Sequence, residues 1–225
     1  SNSAVQIGAL SVDLAGYTGT FGAEVTVSAS GGTINGTNQA DQFTLGAGTD
    51  VIQITDSTPD SITSFTLGTD ELELDISTLE AAGGTGVDAA AIDFSEPHDS
   101  NAITAASTVL ITELVSGADT AVVDAANVFV MLTTSMADTD AVETALEDAG
   151  THEMVITANT VANNDAFFVV YSDGTDAYLA AVHATVAQNT VAIEAGEVTA
   201  VNIAKLVGIT SIAAGDITAA NFDFI

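Results

Sequence analysis

Gly36-Thr-Asn-Gln-Ala-Asp41-Gln-Phe43-Thr-Leu-Gly46-Ala-Gly48-Thr-Asp50-Val-Ile52 contains the same short phrase twice: a turn, an aspartate, one residue, then a large apolar side chain. The apolar positions Phe43 and Ile52 continue a nine-residue spacing that begins at Val25 and Ile34. Working outward, the triplet returns with one-residue insertions as Asp60-x-Ile62 and Asp70-x-Leu72. Each unit reads as a turn feeding a very short strand whose apolar side chain points inward, and stacked units bury those side chains as a column. Glycines let the backbone turn tightly and expose carbonyl oxygens, while aspartate adds a hard anionic ligand. Neighbouring turns then build an oxygen cage that suits calcium and not zinc. A plain series of Gly/Asp turns between strands is the alternative reading of the same residues.

The two phrases are similar to consecutive nonapeptides of the RTX calcium-binding β-roll, whose unit is Gly-Gly-x-Gly-x-Asp-x-apolar-x. The second copy keeps Gly46, Gly48, Asp50 and Ile52 and has Leu45 in place of the first glycine; the first copy keeps Gly36, Asp41 and Phe43. Asp60-Ser-Ile-Thr-Ser-Phe-Thr-Leu-Gly-Thr-Asp-Glu-Leu-Glu-Leu-Asp75 resembles the segment that closes such rolls, with Ser64 where an aspartate is usual. The resemblance implies Ca²⁺ ligands at Gly36, Asn38, Asp41, Gly46, Gly48, Asp50, Asp60 and Asp70.

Beyond residue 76 the period stops, and Ala81-Ala-Gly-Gly-Thr-Gly86 reads as a linker. Residues 109–115 and 127–133 read as strands, and 138–149 as a helix capped by Asp138 or Thr139 and stopped by Gly150. Ser172-Asp-Gly-Thr-Asp176 between two apolar runs is a β-hairpin signal. The last third resembles the end of type I secreted RTX proteins, including some bacterial surface-layer proteins. It offers Phe168-Val-Val-Tyr171, Gly174-Thr-Asp176-Ala-Tyr178-Leu179, Lys205-Leu-Val-Gly208-Ile and Asn221-Phe222. There the uncleaved C-terminus is the export signal, and Asp223-Phe-Ile225 matches its acidic-then-apolar form.

The fold expected is therefore mainly β. Residues 1–24 form an N-terminal strand region and 25–76 a short parallel β-roll of RTX type. Residues 77–165 form a middle β/α region and 166–225 a C-terminal hairpin and secretion region, so that a β-rich α+β part with one or two short helices follows the roll.

Composition narrows the function. One Lys+Arg against 31 Asp+Glu gives a formal charge of −30, so the chain has no basic surface with which to hold a nucleic acid or an anionic membrane. Without cysteine there is no disulfide, thiol redox chemistry or cysteine zinc site. A hydrophobic content of 47% argues against disorder despite the charge. Residues 1–14 show no basic segment followed by an apolar one, so a Sec signal is absent or removed, and no apolar run approaches a transmembrane length.

No enzyme signature stands out. His98, His152 and His183 lack metalloprotease spacing and are expected at the surface or in the hairpin; no Gly-x-Ser-x-Gly elbow or Walker loop exists. The expectation is a non-enzymatic, secreted, calcium-binding structural protein of surface-layer or extracellular-matrix type that assembles into a homo-oligomer or lattice through calcium. Its partners would be the type I secretion machinery and cell-surface polysaccharide, and its place extracellular. The alternative is the C-terminal calcium-binding module of a larger RTX toxin, hydrolase or adhesin.

Overall fold

Nine residues carry this chain across half of a coil, which is why the large apolar side chains recur at that spacing. Val25 and Phe43 are register partners on one sheet, and Ile34 and Ile52 are partners on another. In the computed structural model, which describes residues 4–7, 11–27, 30–81, 93–97, 101–117, 120–122, 126–132, 135–156, 160–188 and 190–225, eight short strands alternate between these two sheets. They are β1 (Ala4–Ile7), β2 (Val12–Asp13), β3 (Glu24–Val27), β4 (Gly32–Asn35), β5 (Gln42–Thr44), β6 (Asp50–Ile54), β7 (Asp60–Thr63) and β8 (Glu71–Leu74). The first sheet holds β1, β3, β5 and β7, the second β2, β4, β6 and β8, and every neighbouring pair among these is parallel.

Alternation along each strand sends every second side chain inward. Val25, Phe43 and Ile62 therefore stack as one buried column, and Ile34, Ile52 and Leu72 face them as another. The one-residue insertions before Ile62 and Leu72 lengthen the turns without changing strand phase. One of these turns places Ser64, the residue that stands where aspartate is usual, in the left-handed region at φ 68°.

A short helix α1 (Ile76–Ala81) follows, then β9 (Asp93–Phe94), β10 (Ile111–Val115), β11 (Thr120–Ala121), β12 (Val128–Leu132), helix α2 (Thr139–Leu146), β13 (Met154–Val155), β14 (Asp165–Ser172), β15 (Ala177–Ala184), β16 (Val198–Val207) and β17 (Phe222–Phe224). The chain is mainly β, with two helices. The expected linker after Ala81 lies almost wholly outside the described residues. The Asp-Gly hairpin forms as read, β14 pairing antiparallel with β15 and Gly174 supplying the positive φ of its turn. Helix α2 is capped by Asp138, whose side chain accepts from Ala141 N. It buries Val142, Ala145 and Leu146.

These later strands extend the first sheet in the order β7-β16-β15-β14-β12-β10. β14 and β12 are buried along their whole length because the sheet has a core on each face. Ala166, Phe168 and Val170 join the core inside the coil, while Phe167, Val169 and Tyr171 join a second core with α2. Burial on both faces is what turns a strand into a continuous apolar run rather than an alternating one. The chain end closes the coil. β16 runs parallel to β7 with Leu206 beside Ile62, and β17 runs parallel to β8 with Phe222 beside Leu72. Residues 25–76 and 198–224 thus share both sheets.

Candidate functional site

The four aspartates of the Asp-x-apolar phrases stand immediately before or at the start of β5, β6, β7 and β8, and all are buried: Asp41 1%, Asp50 0%, Asp60 4% and Asp70 0% exposed. Two hydrogen-bond patterns hold them there. Within its own turn, each of three accepts through Oδ2 from a backbone N–H four residues earlier: Asp41 from Thr37 (2.6 Å), Asp50 from Gly46 (3.2 Å) and Asp70 from Thr66 (2.7 Å). Between coils, Oδ1 accepts from the strand-initiating backbone of the preceding coil: Asp41 from Ala23, Asp60 from Asp41 N (2.8 Å) and Asp70 from Asp50 N (2.9 Å).

The result is two ladders. Ala23, Asp41 and Asp60 line one side of the coil, and Gly32, Asp50 and Asp70 line the other. The eight residues expected around calcium therefore do not meet at one centre. Asp41 and Asp60 pair on the first sheet, and Asp50 and Asp70 on the second. Gly36 lies buried against Asp41, where a Cβ would collide with the carboxylate. Gly46 is half-buried as the Asp50 donor, and Asn38 and Gly48 are exposed at the turn tips. Gly48 (φ 126°) and Gly31 (φ 77°) let the backbones of successive turns touch, since a Cβ at either would strike the other turn.

Electrostatics at these turns are one-sided. Burial pushes the Asp60 carboxyl up to about 8, helped by the charges of Asp41 and Asp56 and resisted by the bond from Asp41 N–H. Burial and the neighbouring Asp70 also raise Asp50, against the pull of the Gly46 and Gly32 N–H groups. Asp50 Oδ1 is buried and completes no hydrogen bond among the described residues, which leaves a carboxylate oxygen unmatched. The carboxylate oxygens of both ladders are ligands of the kind a hard cation takes, and the partners they have in this structure are backbone N–H groups. Among the described residues no three Asp, Glu or His side chains converge on a point that could hold a metal. A cation here would accordingly rest on one or two carboxylates, with backbone carbonyls and water completing its shell.

Two contributors carried weaker sequence signals. Asp56, four residues before Asp60, is raised by burial and feels the charge of Asp41. Asn221 is fully buried and donates from Nδ2 to the Asp70 carbonyl (2.9 Å), while its Oδ1 accepts from Thr218 N (3.0 Å). It ends the second ladder with a neutral amide. An Asn directly before an apolar strand was the only hint of this, and its partner is 151 residues away.

The single lysine is committed elsewhere. Lys205 Nζ contacts Asp176 Oδ2 at 2.7 Å and lies over the Tyr178 ring, 5.8 Å from its centroid. Asp176 also accepts from Gly208 N, and Asp173 accepts from the Tyr178 hydroxyl. The Lys205 contact and the Gly208 N–H hold Asp176 below the usual carboxylate range. The histidines correct an expectation: His152 is fully buried rather than at the surface, and His183 is buried on β15, while His98 lies outside the described residues. His152 Nε2 sits 3.2 Å from the Leu132 carbonyl, which can only accept, so the neutral ring carries its proton there. Burial lowers its pKa.

No helix among the described residues is long and apolar enough to cross a membrane. Comparison with protein-family models, curated proteins and solved structures finds no match for this chain.

Proposed function

We propose that this chain is a secreted calcium-binding structural protein that folds and self-assembles outside the cell with Ca²⁺, as a surface-layer or extracellular-matrix component. The observation that supports the reading is the pair of buried aspartate ladders in a molecule whose one lysine is bound to Asp176. A buried carboxylate whose oxygens are not matched by hydrogen-bond donors or a basic partner needs a proton or a cation at neutral pH. Asp60 at about 8 and the unmatched Asp50 Oδ1 are where that need is greatest.

In this reading Asp41, Asp50, Asp60 and Asp70 supply carboxylates, Gly36, Gly46 and Gly48 supply carbonyls, and Asn38 supplies its amide oxygen. The alternation of short parallel strands between two sheets fits an RTX-type β-roll. Extracellular calcium modules bind at roughly 10⁻⁴ to 10⁻³ M, so the ion is scarce inside the cell and available outside, where its binding contributes folding free energy. Export by a type I system and contact with cell-surface polysaccharide belong to the same proposal, and no catalytic role does.

A second reading, the secretion and folding module of a larger RTX protein, is favoured by one observation: the C-terminal strands β16 and β17 complete the sheets of the coil. Circular dichroism with light scattering, titrated from EGTA to about 10 mM calcium, separates the two. A gain in β structure or thermal stability followed by growth in mass supports the structural protein, and a gain without growth supports the module. Indifference to calcium removes both.

A further inference from the structure

We propose that copies of this chain join head to tail through the edges of the first sheet, the free edge of β10 in one copy pairing in parallel with the free edge of β1 in the next. The inference rests on the self-assembly reading above and names its contact surfaces.

The first sheet begins at β1 and ends at β10, and among the described strands neither has a second neighbour. Its steps from β1 through β3, β5 and β7 to β16 are parallel, as are those from β14 through β12 to β10. The two antiparallel steps, β16 to β15 and β15 to β14, cancel. β10 therefore points the same way as β1, and placing one copy after another continues the sheet in the pairing it already uses.

β10 also lacks the devices that normally blunt an edge. Ile111-Thr-Glu-Leu-Val115 contains no proline or lysine and has one charged side chain, Glu113, whose Oε1 accepts from Gly215 N at 2.6 Å. Leu110 and Val115 are 41% and 49% exposed. The edge is held in place by buried Asn127, which accepts from Leu110 N (3.0 Å) and donates to the Thr108 carbonyl (2.9 Å). By contrast, the outer strands of the second sheet, β2 and β17, have two and three residues.

Charge selects the partner. A two-fold pairing of β10 with β10 would set Glu113 near Glu113 of the other copy, and like charges across a strand pair are destabilising. Ala4-Val-Gln-Ile7 carries no charge. A heterologous contact of this kind leaves each copy with one unused edge, so it propagates, into an open array unless its rotation closes a ring. At −30 per copy the array forms only where cations screen or bridge the remaining surface.

Two variants test it: one with Leu110→Glu and Val115→Glu at the β10 edge, the other with Ala4→Glu and Gln6→Glu at the β1 edge. In calcium, by light scattering, each alone stays at monomer mass while the wild type grows. An equimolar mixture, which has one intact edge of each kind, stops at the dimer. Growth of either variant alone, or a mixture that remains monomeric beside a growing wild type, overturns the edge contact and leaves the self-assembly reading standing. A wild type that never grows overturns both. Hydrogen exchange on the wild type gives an answer free of variants: backbone amides in 4–7 and 111–115 gain protection on assembly, and unchanged exchange at both edges rejects the contact.

Discussion

The backbone N–H of Asp50 donates to Oδ1 of Asp70 at 2.9 Å, so the aspartate that starts one strand is held by the aspartate that starts the next strand of the same sheet. Asp70 in turn accepts from Thr66 N through Oδ2 at 2.7 Å, and one buried carboxylate thereby ties its own turn to the neighbouring coil. Replacing it should separate the two duties. Asp70→Ala loses both bonds and leaves two N–H groups without partners, a cost of about 2–4 kcal/mol in urea unfolding. Asp70→Asn retains an acceptor oxygen and should cost less, about 1–2 kcal/mol. In calcium, both variants should show a smaller rise in stability than the wild type.

Asp60 predicts a pH slope opposite to that of a surface carboxylate. Its folded pKa of about 8 lies above the ordinary 3.8, so the folded state binds the proton more tightly than the unfolded one. The stability it contributes is complete below pH 3.8 and is lost as pH rises through 8. One proton limits the slope to about 1.36 kcal/mol per pH unit. Chelated protein should therefore weaken from pH 3.8 up to about 8 and level off above it, and Asp60→Asn should flatten that fall. A slope unchanged by the substitution places the titration elsewhere.

His152 works in the other direction at lower pH. Its folded pKa is depressed by burial below 6.5, so its stabilising effect is present above that value and is lost as pH falls through the folded pKa. His152→Gln, which can still donate to the Leu132 carbonyl, should be less acid-sensitive between pH 6.5 and 5 while differing little at pH 8. Chemical denaturation at the two pH values reads the difference.

Lys205 and Asp176 should be coupled, though modestly, because the lysine side chain is 35% exposed. A double-mutant cycle with Lys205→Met and Asp176→Asn is expected to give about 0.5–1 kcal/mol, reduced in high salt. A value near zero would mean that the contact positions the hairpin without stabilising it.

Gln188 is 2% exposed, and among the described residues neither its amide oxygen nor its amide nitrogen has a hydrogen-bond partner. An unmatched buried amide opposes folding, so Gln188→Leu should stabilise the protein by about 1 kcal/mol or more, seen as a raised Tm.

What could be read in the sequence was what repeats locally. Val25, Ile34, Phe43 and Ile52 announce stacked short strands because each unit sees nearly the same surroundings, and the Asp-Gly turn at 173–174 carries its own backbone preference. The division of the aspartates into two ladders was not legible. It depends on which sheet each strand joins, and the nine-residue period looks the same on either side. Nor could Asn221 be matched to Asp70, or β16 be placed between β7 and β15, since both contacts join distant parts of the chain. His152 misled for a related reason: it is fully buried with its Nε2 on the Leu132 carbonyl, twenty residues away in the sequence.

The closure of the coil by β16 and β17 has a temporal consequence. The first sheet cannot be continued past β7, nor the second past β8, until residues 198–224 have been made and have left the ribosome. Contacts spanning that much sequence are slow to form, because the loop between them must be closed before they contribute anything. Until then the aspartate turns of a nascent chain stay unsealed, and strand Phe222–Phe224 sets the moment at which the coil can be completed.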